Sequence, residues 1–300
     1  MVTNALSVDV EEYYHAAIFR TGTKGGNGSA HYESRVEESM GLLLALLQMH
    51  GTKATFFTLG EVAAAHPALI RRMAAEGHEV ACHGDRHDDV HRLSPEEFRM
   101  DIRRAKRQLE DIIGDSVIGY RAPNFSIGPE QSWAYQVLIE EGFRYDSSTY
   151  PIVHDRYGQP GAPRFPYEIR RAGPASLIEF PIGTLRVCGV NLPIGGGGYF
   201  RLSPFSLTRF AIQRVNDREQ RPVMFYLHPW ELDTAQPRPP MAWRHRFRHY
   251  VGLETETSKL GRLLSRFRFG TAREILLAHA SWPKLVDTVP VAAELQTLPS

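Results

Sequence analysis

The chain is poor in cysteine, in net charge and in long apolar runs, and each shortage closes off a class of reading. Only two cysteines, Cys82 and Cys188, occur in 300 residues. They lie far apart among apolar neighbours, so no disulfide scaffold is expected and both should be buried, reduced thiols. A formal net charge of +1 singles out no nucleic acid or other polyanion as partner. No apolar run approaches the roughly 18 residues of a membrane span. The opening "MVTNALSVDVEEYYH" has no basic segment followed by a long apolar one, so no secretory signal is read and a cytoplasmic protein is expected. No repeat, disordered tail or linker divides the chain. What it does contain is histidine: 13 of them, more than solubility requires, which directs attention to metal or acid–base chemistry.

Strand and helix signals alternate through the first half. "ALSV", "KATFFTL", "HEVACH", "SVIGYRAP" and "FRYDSS" read as strands, and the segments between them as helices. "RVEESMGLLLALLQMHG" sets Val36, Met40, Leu43, Leu44 and Leu47 on one face and stops at Gly51. "EVAAAHPALIRRMAAEG" reads as one helix ended by glycine. "SPEEFRMDIRRAKRQLEDIIG" opens with Ser94 as N-cap, Pro95 at N1 and Glu97 at N3, a capping box. This rhythm implies parallel βαβ units. From Pro151 it loosens. Residues 151–175 read as a loop insertion, and "LIEFPIGTLRV" and "RPVMFYLHPWE" as later strands. Between these, "GGGGYFRLSPFSLTRFAIQRVND" reads as a flexible loop leading into a helix, and residues 238–270 are basic and aromatic. The expected fold is α/β, a single domain over residues 1–300 built as a closed or nearly closed parallel barrel.

In such a barrel, functional groups collect at the C-terminal strand ends. Those ends carry Asp9 and Glu11, then His83 and His87, then Arg121, then His228. The spacing of His83 and His87 lets both imidazoles reach one cation, from consecutive helical turns or from a compact loop. Two surface histidines ahead of a capped helix would show the same spacing. A carboxylate from a neighbouring strand would complete a three-ligand site with a position open for water. Asp9 and Glu11 both qualify, because alternation places them on one side of an extended segment. One would bind the cation and the other would take a proton from water. His228, after an apolar run, suits a general acid if it is not simply a core residue. Arg121 suits a carboxylate anchor through its planar fork.

The ordered set "SVDVEEYYH", "ATFFTLG", "GHEVACHGDRHDDVHRLSPEEF", "GYRAPNFS", "GFRYDSS" and "FYLHPWE" resembles the NodB-type polysaccharide deacetylases. It is most similar to the branch found beside exosortase (PEP-CTERM) exopolysaccharide loci. "EFPIGTLRV", "GGGGYFRLSP" and "HPWELD" resemble that branch's C-terminal extension, here about residues 190–280. The resemblance spans roughly residues 5 to 280. It implies a distorted (β/α) barrel that removes acetyl groups from N-acetylated sugars with one divalent metal, usually zinc, with cobalt or nickel as alternatives. His83 and His87 would then be metal ligands, Asp9 the general base and His228 the general acid, with Arg121 orienting Asp9 and Pro123 shaping that loop. Many members carry two adjacent aspartates in the first motif, base then ligand. Here the residue after Asp9 is Val10, and members with a D-x-D spacing point to Glu11 as the ligand. An exchange of roles between Asp9 and Glu11 stays open. No clear acidic-Trp motif pairs with the acid histidine, so its partner is unassigned; Glu231 or Asp146 could serve. Glu12 has no assigned chemistry and is expected to be structural or solvent-facing.

The implied partner is an N-acetylated glycan, free or lipid-linked, in exopolysaccharide biosynthesis. Tyr13, Tyr14, Phe125, Tyr199 and Trp230 are suited to stack on sugar rings, with Pro123 beside them, although packing is the plainer role for each. Arg244, Arg246 and Arg248 suit an anionic partner such as a phosphorylated lipid carrier or a membrane surface, or form a solvated face. Two rival functions stay open: a metal amidohydrolase for small cyclic amides, since allantoinase-like proteins share the barrel, and a non-catalytic glycan-binding barrel.

Overall fold

The first strand, β1 (Thr3–Val10), is buried from Asn4 onward, as a central strand of a parallel sheet covered on both faces must be. After it come α1 (Val36–Met49), β2 (Thr55–Thr58), α2 (Gly60–Ala65), α3 (Pro67–Ala75), β3 (Glu79–Cys82), α4 (Pro95–Ile113), β4 (Gly119–Tyr120), α5 (Trp133–Glu140) and β5 (Tyr145–Asp146). The second half adds β6 (Tyr167–Arg170), β7 (Ser176–Glu179), β8 (Thr184–Val187), β9 (Val190–Pro193), α6 (Gly197–Leu202) and α7 (Phe205–Arg214). It ends with β10 (Met224–Leu227), α8 (Trp243–Tyr250), α9 (Leu253–Arg266), β11 (Arg268–Gly270) and α10 (Ala272–Leu277). This computed structural model describes residues 2–16, 19, 32–170, 176–240, 242–278 and 282–283. Among them, no helix is long and apolar enough to cross a membrane.

One nine-stranded sheet runs in the order β10-β1-β2-β3-β4-β5-β7-β6, with β11 also paired to β1. Its pairings are parallel apart from β6 with β7. The sheet curls until its far end returns to β10. Ile182 and Gly196 form isolated parallel bridges to Met224 and Tyr226, and the Gly183 N–H donates to the Met224 carbonyl at 2.9 Å. Glycine is required at this closure, because a Cβ on Gly196 would lie 1.9 Å from the Tyr226 carbonyl oxygen. The result is a distorted parallel (β/α) barrel, closed by single bridges where a regular strand would otherwise run.

Period-two alternation divides the strands between two cores. Leu6, Val8 and Val10 of β1, with Phe56, Val80, Cys82, Phe225 and Leu227, join the larger cluster under the helices. That cluster takes the whole apolar stripe of α1: Val36, Met40, Leu43, Leu44 and Leu47. The intervening positions, Ala5, Phe57, Ala81, Tyr145, Met224 and Tyr226, fill the inside of the curl. The capping box holds as read. The Ser94 hydroxyl accepts from the Glu97 N–H at 3.2 Å, and the Glu97 carboxylate accepts from the Ser94 N–H at 2.8 Å.

Several local expectations change. The helix read across "EVAAAHPALIRRMAAEG" is two helices broken at His66, because the residue before Pro67 is pushed out of helical geometry. The loop insertion at 151–175 contains β6, which adds an antiparallel edge to the sheet. "LIEFPIGTLRV" is two strands, the second of which leaves the sheet for a hairpin with β9. The glycine run closes the barrel instead of forming a free loop, and β11 was not foreseen. Cys82 is buried as expected but Cys188 is exposed. Cys188 and Gly189 form the two-residue turn of the β8–β9 hairpin, both with positive φ (48° and 82°), the geometry that favours this turn.

Candidate active site

The inward parity of each strand determines which side chains meet at the mouth of the barrel. Inward Ala5 of β1 leads by twos to Asp9 and then Glu11, Ala81 of β3 to His83, and Met224 and Tyr226 of β10 to His228. On β4, Gly119 faces inward, since a Cβ there would lie 2.2 Å from the Tyr145 ring, and Arg121 follows it.

Glu11, His83 and His87 are buried and present ligand atoms within 4.8 Å of one another. His83 Nδ1 lies 2.8 Å from the Arg121 carbonyl oxygen. A carbonyl can only accept, so Nδ1 carries the proton and Nε2 keeps its lone pair for a cation. Burial pushes the His83 pKa down to about 4, outweighing the pull of Asp9 and Glu11, so the imidazole is neutral as a ligand must be. Burial opposes the charge on Glu11, but His87 and His228 outweigh it and hold its carboxyl far below the usual range. Glu11 Oε2 is 2.6 Å from His87 Nε2, yet this buried oxygen makes no aligned hydrogen bond. Two imidazoles and a buried, unsatisfied carboxylate oxygen are a donor set that fits a divalent ion.

The two histidines sit on a compact loop. Gly60 N–H and Glu61 N–H, at the start of α2, donate to the carbonyls of Gly84 and Asp85 at 2.9 and 3.0 Å, and Asp85 N–H donates to the Asp101 carboxylate at 3.0 Å. Gly84 has φ +82°, and a Cβ there would come within 2.9 Å of Asp101 Oδ2. Glycine is therefore needed for conformation and for space. His87, itself at φ +58°, stacks on His15 at 5.7 Å, and His15 Nε2 is 3.1 Å from Glu61. Neither His15 nor Glu61 was singled out from the sequence.

Asp9 is engaged differently. Its Oδ1 accepts from Arg121 Nη1 at 2.6 Å. Arg121 is wholly buried, donates from Nε to the Ser147 carbonyl at 3.0 Å and from Nη2 to the Ser147 hydroxyl at 2.9 Å, and lies 4.1 Å above the Phe57 ring. His228 Nε2 is 3.9 Å from Asp9 Oδ2 and 3.7 Å from Glu11 Oε1, and its side chain is 20% exposed. His228 Nδ1 pairs with Glu231 Oε1 at 2.7 Å, whereas Asp146 accepts from the Ser148 hydroxyl at 2.6 Å. Glu231 is thus the partner that the structure brings to His228. Burial pulls the His228 pKa down, but Glu11, Glu231 and Asp9 outweigh it and raise it to about 9.

Other expectations shift. Glu12 is 3% exposed and takes the structural of its two expected roles. Its carboxylate accepts from the Arg35 and Val36 N–H groups at 3.0 and 3.4 Å and from the Ser34 hydroxyl, supplying the acceptor that the start of α1 lacks. Tyr13 and Trp230 are 1% and 6% exposed and pack with Phe19. Trp230 Nε1 donates to Glu11 Oε1 at 3.3 Å. Phe125 packs against Tyr150, Tyr157 and Tyr226, and Pro123 is buried. Packing buries these rings, which leaves Tyr14 and Tyr199 partly exposed among the stacking candidates. Arg201, buried against Glu231, was missed. An arginine alone among the apolar residues of "YFRLSP" is the signal that would have found it.

Residues 31–138 match the family model described as Polysaccharide deacetylase, and residues 147–277 match one described as a domain of unknown function, DUF3473. The chain is 31% identical over 152 residues to a chitooligosaccharide deacetylase of Bradyrhizobium sp. (strain ANU 289), covering 49% of this chain and 67% of that one. It is 33% identical over 93 residues to a peptidoglycan-N-acetylglucosamine deacetylase of Bacillus cereus, covering 31% of this chain and 34% of that one. In fold it is similar to a Mycobacterium smegmatis protein assigned as a polysaccharide deacetylase (TM-score 0.64, 18% identity, 95% and 93% of the two chains). It is also similar to the Puue allantoinase (0.58, 18%, 91% and 88%).

Proposed function

This chain is a member of the polysaccharide deacetylase family, and on that premise we propose that it hydrolyses the N-acetyl group of an N-acetylhexosamine within an oligo- or polysaccharide. The observation that carries this reading is the placement of Asp9 and His228 on the Glu11–His83–His87 donor set, with His228 Nε2 within 3.9 Å of both carboxylates. A divalent cation, zinc on this reading with cobalt or nickel as alternatives, would be held by Glu11, His83 and His87 and would supply Lewis-acid chemistry to the acetyl carbonyl and to water. Asp9, oriented by Arg121, takes the proton from the attacking water. His228 gives its Nε2 proton to the amine nitrogen as the C–N bond breaks, and acetate leaves. Glu11 is the ligand on this assignment because Arg121 already holds Asp9.

The test is acetate release from chitooligosaccharides and other N-acetylated glycans by the zinc- or cobalt-loaded protein. No release from any of them, or cleavage of small cyclic amides instead, removes the reading.

Within this reading the protein acts in the cytoplasm in exopolysaccharide biosynthesis, on a lipid-linked glycan at the membrane face. Helix α8 supports it: Trp243 and Phe247 are 75% and 55% exposed, and Arg244, Arg246 and Arg248 are exposed beside them. Exposed aromatics with arginines suit the headgroup region of an anionic bilayer. The protein should float with anionic vesicles and release with salt, and Arg244→Glu with Arg246→Glu should abolish flotation. Salt-insensitive binding, or none, removes the membrane part.

A further inference from the structure

The acid half of the site is built by residues 201–251, inside the stretch matched to the domain of unknown function. We propose that Arg201 is a positioning residue for the acid step, acting through Glu231 to hold the His228 imidazole toward the departing amine. The proposal rests on the deacetylase reading above.

Glu231 is fully buried and divides its carboxylate between two partners. Oε1 accepts from the His228 backbone N–H at 3.0 Å and pairs with Nδ1 at 2.7 Å, while Oε2 accepts from Arg201 Nε at 2.7 Å. With each oxygen in a charge-assisted bond, the carboxylate cannot rotate away from the imidazole without losing one of them. Arg201 is in turn held from its other side. Its Nη1 donates to the carbonyls of His249 and Val251 at 2.5 and 3.1 Å, and Nη2 to that of Arg248 at 3.4 Å, so the guanidinium caps the C-terminal carbonyls of α8. It also lies 5.3 Å from the Trp230 ring centroid, and that ring stacks on His228 at 5.0 Å. The backbone of Arg201 is pinned as well. Lys259 Nζ donates to its carbonyl at 2.8 Å and to those of Phe200 and Ser203 at 3.0 Å. Gly252, at φ +76°, leaves no room for a Cβ, which would lie 2.6 Å from the Arg201 carbonyl oxygen. An exposed ion pair would have none of these constraints. Lysine cannot replace them, because one ammonium cannot span Glu231 and the α8 carbonyls together.

The full-length, zinc-loaded protein is compared as wild type, Arg201→Lys, Glu231→Gln, His228→Ala and the Arg201→Lys/His228→Ala double variant. The substrates are a chitooligosaccharide and an aryl acetate, whose phenolate leaves without needing a proton. Arg201→Lys should lower kcat on the chitooligosaccharide about tenfold or more, with KM within about twofold and zinc content unchanged. Aryl acetate turnover should fall by less than about twofold, and Arg201→Lys should cost nothing further once His228 is alanine. Equal losses on both substrates, or additive losses in the double variant, overturn the proposal. If Arg201→Lys does not fold, the isosteric Glu231→Gln carries the same comparison. NMR of ¹⁵N-histidine-labelled protein reads the positioning without turnover. The downfield Nδ1 proton of His228 should vanish in Glu231→Gln and broaden in Arg201→Lys. An unchanged resonance in Arg201→Lys overturns the proposal, even in a protein that releases no acetate. A wild type that releases none overturns the deacetylase reading instead.

Discussion

Replacing Asp9 with asparagine should leave the metal bound and remove turnover, whereas His83→Ala, His87→Ala or Glu11→Gln should remove the metal itself. The two carboxylates of the first motif are only two residues apart, but they face different partners. Glu11 belongs to the buried three-residue donor group, and Asp9 Oδ1 is taken by Arg121 at 2.6 Å. An asparagine at position 9 still offers Arg121 an acceptor oxygen but can no longer receive a proton from water. The loss in kcat should be about 10²–10⁴-fold, the usual worth of a positioned proton acceptor. Metal stoichiometry after dialysis, measured beside acetate release, separates the two classes of variant. If Asp9→Asn loses as much metal as His87→Ala, then Asp9 is a ligand and the two roles must be exchanged.

Arg121→Met should destabilise the protein by about 3–5 kcal/mol, the cost of stranding one member of a buried ion pair. The arginine side chain is 0% exposed and that of Asp9 is 4%. Removing the guanidinium therefore strands a carboxylate inside the barrel and leaves the Ser147 carbonyl and hydroxyl without their donors. Urea denaturation followed by circular dichroism measures the effect, and a loss below about 1 kcal/mol would mean that solvent or another cation compensates. Combining Arg121→Met with Asp9→Asn should cost less than the sum of the two single changes, because the stranded charge is gone.

Legibility of the site in the sequence followed the distance over which each cause acts. Asp9, Glu11, His83, Arg121 and His228 all stand at a strand end with inward parity, and both properties are local: a run of apolar residues and a count by twos. The Ser94 capping box and the apolar stripe of α1 were readable for the same reason, since residues three or four apart settle them. Where local signals compete, a neighbour decides, as when Pro67 splits an otherwise continuous helical pattern at His66. The aromatic residues were the least legible. Nothing in the sequence separates Tyr13 or Trp230, buried by packing with Phe19, from Tyr14 and Tyr199, which keep solvent contact.

By itself, then, the sequence determined the alternating α/β order, the strand ends that carry the reactive side chains, and the candidate donor set, because periodicity, capping and motif spacing are short-range. Only the tertiary structure decided which acid lies against His87 and which against Arg121. It also decided that Glu231 rather than Asp146 meets His228, that Glu12 completes the start of α1, and that Arg201 stands behind Glu231. Most of these depend on bringing together groups distant in sequence, 112 residues for Asp9 and Arg121 and 30 across separate elements for Arg201 and Glu231, whereas Glu231 and His228, three residues apart, meet within one turn. Buried charges choose partners by proximity in a medium that penalises every unpaired one, and that proximity exists only once the sheet has curled and closed.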